Sequence, residues 1–181
     1  YNTQEGISLP NDQKRVTTRV NIDQKVKSWL KIGTSLGLTQ TENSGMNRGT
    51  GSLSGNIYNA TKQLPNTPIY DVKTATGYNI LGNSVGLGVN RIGINNNLTN
   101  IVYVLNNNKA TSKAKHILGN FYTDITFLPQ LHLKTQASID NVSNVGFYFA
   151  NPTHGDGASV GGSLTNDFTD SFRWNIQNIL S

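Results

Sequence analysis

Three histidines are the residues of this chain with the most versatile chemistry, because an imidazole can bind metals and transfer protons near neutral pH. His116 and His132 fall on the polar sides of two alternating segments and could be neighbours across a hairpin. A metal site would need a third ligand, and neither Asp124 nor Asp140 has a spacing that marks it as one. The chain contains no cysteine, which removes thiol catalysis and cysteine-ligated metals. The sequence therefore predicts no metal site.

The third histidine, His154, lies in the string "THGDG", two residues before Asp156. Histidine and aspartate are two members of hydrolytic triads, but no recognisable nucleophile motif accompanies them. A glycine-rich turn in a loop is the simpler interpretation. We therefore predict no catalytic residue and no cofactor, and we expect that the protein is not an enzyme.

The composition is polar but weakly charged: 35% of the 181 residues are hydrophobic and 14% are charged. A disordered chain would combine low hydrophobicity with high charge. The observed balance is typical of all-β proteins with many turns, and of transmembrane barrels, whose lumen face is polar. The net charge is +5, but the 15 Lys and Arg are spread along the chain, so we predict no nucleic-acid partner.

Five segments alternate between apolar and polar residues with a period of two, which predicts strands with two different faces. No charged residue falls on the apolar side of the alternation in any of the five. The predicted strands lie near 14–23, 29–42, 113–127, 131–149 and 170–181. The positions of this apolar face are Val16, Thr18, Val20 and Ile22; Leu30, Ile32, Thr34, Leu36 and Leu38; Ile117, Gly119, Phe121, Thr123 and Ile125; Leu131, Leu133, Thr135, Ala137 and Ile139; and Phe172, Trp174, Ile176 and Leu180.

The opposite, polar face carries the charged and amide side chains of the same segments. If it lines a water-filled lumen, its field is mildly positive and favours anionic or zwitterionic solutes. The predicted lumen-facing residues are Arg15, Arg19, Lys31, His116, Asn120, Tyr122, Asp124, His132, Lys134, Gln136, Asp140 and Arg173.

The connections between the predicted strands alternate between short and long. Short turns follow the first and third strands, whereas the segments near 43–111 and 150–169 are long. Outer-membrane barrels have short periplasmic turns at one end and long extracellular loops at the other. Within the first loop, Ser52 to Pro65 predicts a short helix capped at Ser52 or Ser54, and the Asn- and Gly-rich remainder is expected to be irregular.

A soluble β-sandwich also alternates, so the pattern by itself does not require lipid. The predicted strands, however, are longer than the roughly five to six residues that are usual in sandwiches, and tilted membrane strands need about 9 to 11. No run of 18 apolar residues is present, which excludes a transmembrane helix. We therefore predict an antiparallel transmembrane β-barrel segment of about five long strands with long extracellular loops.

With the strands placed, the chain resembles the C-terminal barrel region of the SusC/RagA family of TonB-dependent outer-membrane transporters. The resemblance covers essentially the whole chain in order. It rests on the strings "KRVTTRVNIDQKVKSWLKIGTSLGLTQTEN", "SLSGNIYNATKQLPNTPIYD", "NNNKATSKAKHILGNFYTDITFLPQLHLKTQASID" and "FRWNIQNILS".

The resemblance implies a barrel of about 22 strands around a plug domain in a bacterial outer membrane. It implies import of oligosaccharides or peptides, energy from the TonB complex, and a SusD-like surface lipoprotein as partner. Five strands cannot close such a barrel, and "YNTQEGISLPNDQKR" lacks the features of a signal peptide. The expectation is a barrel fragment without plug or signal peptide.

Two other classes remain open. A secreted all-β carbohydrate-binding or adhesin module is the alternative, and an enzyme ranks third because no nucleophile, acid–base pair or metal cluster stands out.

Overall fold

The computed structural model of the chain describes residues 1–8, 11–45, 57–87 and 97–181. It is mostly β, with one six-stranded antiparallel sheet in the order β1-β2-β3-β6-β7-β8 and a separate two-stranded hairpin, β4-β5. The elements are β1 (Asn2–Glu5), β2 (Asp12–Lys27), β3 (Leu30–Ser44), α1 (Ile57–Lys62), β4 (Ile80–Leu81), β5 (Ser84–Val85), α2 (Ile101–Asn107), β6 (Lys109–Leu128), β7 (Leu131–Ala150), a 3-10 helix (Gly155–Val160) and β8 (Ser163–Leu180).

The all-β antiparallel prediction is confirmed, and β6 and β7 reach 20 residues each. The sheet is open, and in the described part of the chain it does not close into a barrel. The strands also differ from the prediction in extent: β2 runs from Asp12 to Lys27 and β6 from Lys109 to Leu128, both beyond their predicted bounds. The short β1 was not predicted, because "NTQE" has no apolar residue to alternate, and β8 begins at Ser163 rather than near 170.

The register places the apolar positions of the five long strands on one face of the sheet. One row across the sheet runs through the paired residues Val20, Leu36, Gly119, Ile139 and Trp174. Because side chains alternate with a period of two, a slip of one residue would turn a whole strand's apolar set to the opposite face. The observed pairing keeps the apolar residues of all five long strands on the same face.

This face is free of charge only over part of its length. Beyond the row of Leu38, the longer strands carry charged residues at the same parity, and Lys113 Nζ lies 3.0 Å from Glu42 Oε1. The prediction of a charge-free face is therefore wrong for this end of the strands. Backbone pairing does not require apolar side chains, so the ladder continues past the apolar band. The charged residues there are Asp12, Lys14, Glu42, Lys109, Lys113, Lys115 and Asp170.

The sheet is a single layer. Phe121 and Trp174 of the apolar face are 48% and 68% exposed, and in the described residues the buried side chains of the apolar core lie outside the sheet's middle. The chain exposes 12091 Å² of accessible surface. A compact monomer of 19.7 kDa is expected to expose about 8,600 Å². The described residues therefore provide no second layer of the kind that buries one face of a sheet in ordinary soluble folds.

The two ends of the sheet differ. The connections at 28–29 and 129–130 have two residues each and form the turn end. At the opposite, loop end, β3 connects to β6 through residues 45–108, and β7 connects to β8 through residues 151–162. Helix α1 falls within the predicted helical segment, although the predicted caps at Ser52 and Ser54 lie outside the described residues. The expectation that the rest of this loop is irregular is wrong, because it contains α2 and the β4-β5 hairpin.

Because Gly33 has no side chain, the side chain of Tyr122 on the polar face reaches from β6 across β3 to β2. The ring of Tyr122 from β6 lies over Gly33 of β3, and its hydroxyl donates a hydrogen bond of 2.6 Å to Asp23 Oδ1 on β2. A Cβ at Gly33 would collide with both the Tyr122 ring and the Asp23 carboxylate. Only glycine therefore permits this contact.

We expect Gly33→Ala to lower the free energy of unfolding by about 1–3 kcal/mol, because the added methyl group must displace the Tyr122 ring. Urea unfolding of the intact protein measures the effect. Gly37→Ala is the matched control on the same strand and face, since its Cβ would lie 3.7 Å from Leu118 O, an ordinary contact. Equal losses in the two variants would contradict the steric explanation.

Candidate functional site

The register places all twelve predicted site residues on the polar face of the sheet. One row on this face runs through Arg19, Gly37, Leu118, Asp140 and Arg173, with one residue from each of the five long strands. The remaining members have the same parity on their strands. The other members are Arg15, Lys31, His116, Asn120, Tyr122, Asp124, His132, Lys134 and Gln136.

Near the loop end, the polar face contains an imidazole–carboxylate pair. His116 Nε2 lies 2.8 Å from Asp140 Oδ1 on the neighbouring strand, and Arg173 is the cross-strand partner of Asp140. Both members of the pair are about two-fifths exposed, at 44% and 40%. No hydroxyl bonds to the ring among the described hydrogen bonds, so the described contacts form a two-membered pair and not a triad.

Near the turn end, basic and acidic side chains alternate around Tyr122. Asp124 is the cross-strand partner of both Lys31 and Lys134. Lys134 Nζ lies 5.2 Å from the centre of the Tyr122 ring, within the range of a cation–π contact. Together with the Tyr122–Asp23 hydrogen bond, these contacts hold an aromatic surface between charges on adjacent strands.

The middle of the polar face is lined by amides and hydroxyls. Asn120 is paired with Ser35 and Ser138, and its Oδ1 is shielded from solvent without a hydrogen-bond partner among the described groups. Gln136 lies opposite Tyr122 one row further toward the turn end. Such groups donate and accept hydrogen bonds and would suit neutral polar solutes.

The two strand histidines are not neighbours. His116 pairs with Val142, whereas His132 pairs with Thr126 at the other end of the same hairpin. Ten residues of β6 separate these two rows, which corresponds to about 33 Å along a strand. The expectation that they could be neighbours is wrong, because the two-residue turn fixes a register in which their distances from the turn differ. His132 Nδ1 instead lies 3.0 Å from Thr126 Oγ1. In the described residues, no cluster of three or more potential ligands forms a metal site.

The charge of the polar face is mildly positive. Arg15 and Arg19 lie at its β2 side, where Arg15 and Thr17 line an open polar cleft of about 330 Å³ with β1. Six basic residues and four acidic residues share the parity of this face. They are Arg15, Arg19, Lys25, Lys31, Lys134 and Arg173, and Asp23, Asp124, Asp140 and Asp167.

A second structured region lies at the loop end, formed by residues 57–87, 97–108 and 151–162, which we call the loop cluster. Its interior is built largely of polar side chains, as Asn59, Asn79, Thr99, Asn100 and His154 are all buried. Irregular backbone leaves many amide and carbonyl groups without ladder partners, and buried asparagines can supply those partners. The hydrophobic members of this core include Leu98, Tyr103 and Val104.

Asn100 is the central connector of the loop cluster. Its Oδ1 accepts a hydrogen bond from Tyr103 N and so caps α2. Its Nδ2 donates to Ile69 O at 2.7 Å and to Asn79 O at 3.2 Å. One side chain therefore joins the start of the helix to two other loop segments. Its own backbone N–H donates to His154 Nε2 at 2.8 Å.

His154 is fully buried within the loop cluster, and both of its ring nitrogens make hydrogen bonds. Nε2 accepts from Asn100 N, and Nδ1 lies 2.7 Å from Gly82 O. The ring packs edge-on against Tyr103, with centroids 5.4 Å apart. Burial lowers the pKa of His154, an effect that the hydrogen bond to Gly82 O partly offsets. Burial also raises the pKa of the neighbouring Asp156 carboxyl.

Sequence reasoning missed these connectors. The string "THGDG" predicted a glycine-rich turn, and the 3-10 helix Gly155–Val160 lies at this place. The sequence did not indicate that His154 connects this turn to distant segments of the chain. The partners of its ring lie 54 and 72 residues away. No local pattern marks such contacts. One local signal could have predicted α2. The helix begins with the hydrophobic string "IVYV", and the preceding residue is a capping asparagine, Asn100.

Comparison with known proteins gives no family: no protein-family model matches the chain, and no curated protein matches it. Among the described residues, no helix is long and apolar enough to cross a membrane.

We expect Asn100→Ala to destabilise the loop cluster by about 2–4 kcal/mol, because it removes the cap of α2 and leaves the carbonyls of Ile69 and Asn79 without this donor. Hydrogen exchange of the α2 amides in the intact protein measures the loss. Asn106→Ala is the control on the same helix, since among the described contacts its exposed side chain donates to Tyr78 Oη alone, at 3.2 Å. Similar exchange in both variants would contradict the central role of Asn100.

Proposed function

We propose that this chain is a wall segment of a larger outer-membrane β-barrel, and that the barrel is a TonB-dependent importer of the SusC/RagA type. In this proposal the apolar face contacts outer-membrane lipid, and the polar face lines the lumen. The imported solute is an oligosaccharide or a peptide, delivered by a SusD-like surface lipoprotein, and the TonB complex supplies the energy. No covalent chemistry is required.

The observation that carries the proposal is a single-layer sheet with an apolar band on one face and polar side chains on the other. From Leu38 to Leu30 the band spans eight residue steps, or about 27 Å along the strand. For a strand tilted by about 40° this corresponds to about 20 Å across a bilayer, close to the roughly 25 Å band of outer-membrane barrels. If water covered both faces of the sheet, aligning the apolar residues of five strands on one face would not stabilise the fold.

The strand edges support a larger assembly. In the described part of the chain, the outer edge of β8 has no partner strand, and β2 has none beyond Arg15 on the side of β1. Long unpaired edges promote aggregation, and in lipid each unpaired backbone group costs several kcal/mol. Further strands on both sides would satisfy these groups and close the wall.

The two ends of the sheet suit the orientation of such a wall. Two-residue turns at 28–29 and 129–130 fit the periplasmic side, and the loop cluster fits the extracellular side. Trp29 and Phe127 lie at the turn end, where aromatic girdles are found at the membrane interface. The charged rim formed by Glu42 and Lys113 lies at the other boundary of the band.

The polar face has the chemistry expected of a lumen wall for polar solutes. Its amides and hydroxyls, including Asn120, can bond to sugar hydroxyls or peptide groups, and its excess of basic residues favours anionic or zwitterionic solutes. The step from a barrel wall to an energised importer rests on the resemblance of the sequence to SusC/RagA proteins.

The alternative is a secreted all-β carbohydrate-binding or adhesin module. A soluble module would need a second layer over the apolar face, and the described residues provide none. Solubility without detergent therefore separates the two functions.

Contact with lipid can be tested at two adjacent residues of β8. Ile176 and Gln177 are both exposed and lie on the apolar and the polar face, respectively. The chain has no cysteine, so Ile176→Cys and Gln177→Cys allow specific labelling with a polarity-sensitive fluorophore. In liposomes containing brominated lipid, we expect strong quenching at position 176 and weak quenching at position 177. Equal quenching, or none at position 176, would overturn the barrel proposal.

Transport is tested separately with the intact protein in cells. Uptake of labelled oligosaccharides and peptides should require both the protein and the proton gradient that energises TonB. We expect a collapse of the gradient to abolish uptake while solute binding at the cell surface persists. Uptake that continues without the gradient would exclude the active importer and leave a passive pore, whereas binding without uptake would favour the adhesin or binding module.

A further inference from the structure

His154 joins the two long connections at the loop end of the sheet. It belongs to the 151–162 connection, while its two bonded partners, Gly82 and Asn100, belong to the 45–108 connection. The same two connections are also joined by Tyr103 Oη to Asn151 Oδ1 at 3.2 Å and by Asn151 N to Asn108 Oδ1 at 2.9 Å. Those two contacts lie near the sheet, at the base of the two connections. His154 instead bonds to residues further inside the 45–108 connection.

The partners of His154 fix its protonation state. A backbone N–H can only donate, so Nε2 must present a lone pair to Asn100 N. A carbonyl can only accept, so Nδ1 must carry the proton that bonds to Gly82 O. The buried ring is therefore the neutral Nδ1–H tautomer. A second proton on Nε2 would face the Asn100 N–H across 2.8 Å and convert an attraction into a repulsion.

Among the described residues, no acidic side chain forms an ion pair with His154 that would compensate an imidazolium. The β4-β5 hairpin has no charged residue, and α2 contributes the neutral Tyr103. The 151–162 connection contributes Asp156, which makes no ion pair with His154 among the described contacts. The carboxylate of Asp71 accepts a hydrogen bond of 2.9 Å from the backbone N–H of Lys73 within its own turn, and Tyr148 of β7 is a further neutral group at this end. A charge buried without a partner is strongly unfavourable.

We propose that His154 is a pH-sensitive latch that holds the 151–162 connection against the hairpin and α2 when neutral, and releases it when protonated. The direction follows from burial, which disfavours the charged ring. The latch is fully stable above the ordinary histidine pKa of about 6.5 and is lost as the pH falls through the lower pKa of the folded state. Each pH unit in that window raises the open fraction by up to about tenfold. This inference does not depend on the barrel proposal.

Hydrogen exchange at one amide measures the latch directly, because the Asn100 amide proton is the one bound to the His154 ring. In the intact protein, with the intrinsic pH dependence of exchange divided out, we expect its protection to fall about tenfold or more between about pH 7.5 and pH 5. The amide of Gly45, which donates to Ala110 O at the base of the loop, should stay protected. An unchanged Asn100 amide, or an equal fall at Gly45, would overturn the proposal.

His154→Gln is the matched variant, because a carboxamide can accept from Asn100 N and donate to Gly82 O without titrating. We expect its Asn100 protection to be independent of pH, and a retained pH-dependent fall would overturn the latch. Should the variant lose protection at both pH values, the double variant His116→Gln/His132→Gln decides, since His154 is then the last histidine of the chain. If the protection of the Asn100 amide still falls with pH in that double variant, the result supports the latch. If the fall disappears, the strand histidines cause it and the latch is overturned.

Discussion

The register of five long strands is the constraint on which the rest of this structure depends. A single-layer sheet has no interior, so its stability is set by backbone pairing and by whatever covers its two faces. The row through Val20, Leu36, Gly119, Ile139 and Trp174 keeps the apolar side chains together. A slip of one residue on any strand would mix the faces, and neither lipid nor water could then cover them well.

The two ends of the sheet differ in the length of their connections and in how the polar groups there are satisfied. At the turn end, two residues suffice to reverse each strand, and Gly33 lets Tyr122 reach Asp23 across the intervening strand. At the loop end, the backbone between α1, the β4-β5 hairpin, α2 and the 3-10 helix has no ladder partners and needs other groups to bond to. The buried side chains of Asn79 and Asn100 provide such groups by bonding to carbonyls of neighbouring segments, which explains a core that is more polar than apolar.

Much of the candidate site could be predicted because parity is a local property. Once a strand is located, alternate residues share a face, and all twelve predicted residues of the polar face do so. Their contacts could not be predicted. His116 meets Asp140 while His132 lies about 33 Å away along the strand, because the register of the hairpin, and not the spacing in sequence, sets which residues are opposite.

The sequence by itself determined the antiparallel β character, the two faces of each long strand and the division into short turns and long loops. Those features follow from a period of two and from turn composition, which are read within a few residues. The tertiary structure decided the open six-stranded order, the charged rim beside Lys113 and the loop cluster around Asn100 and His154. These depend on pairs of residues far apart in the chain, such as His154 and Gly82, 72 positions away. Only folding brings such residues within hydrogen-bonding distance.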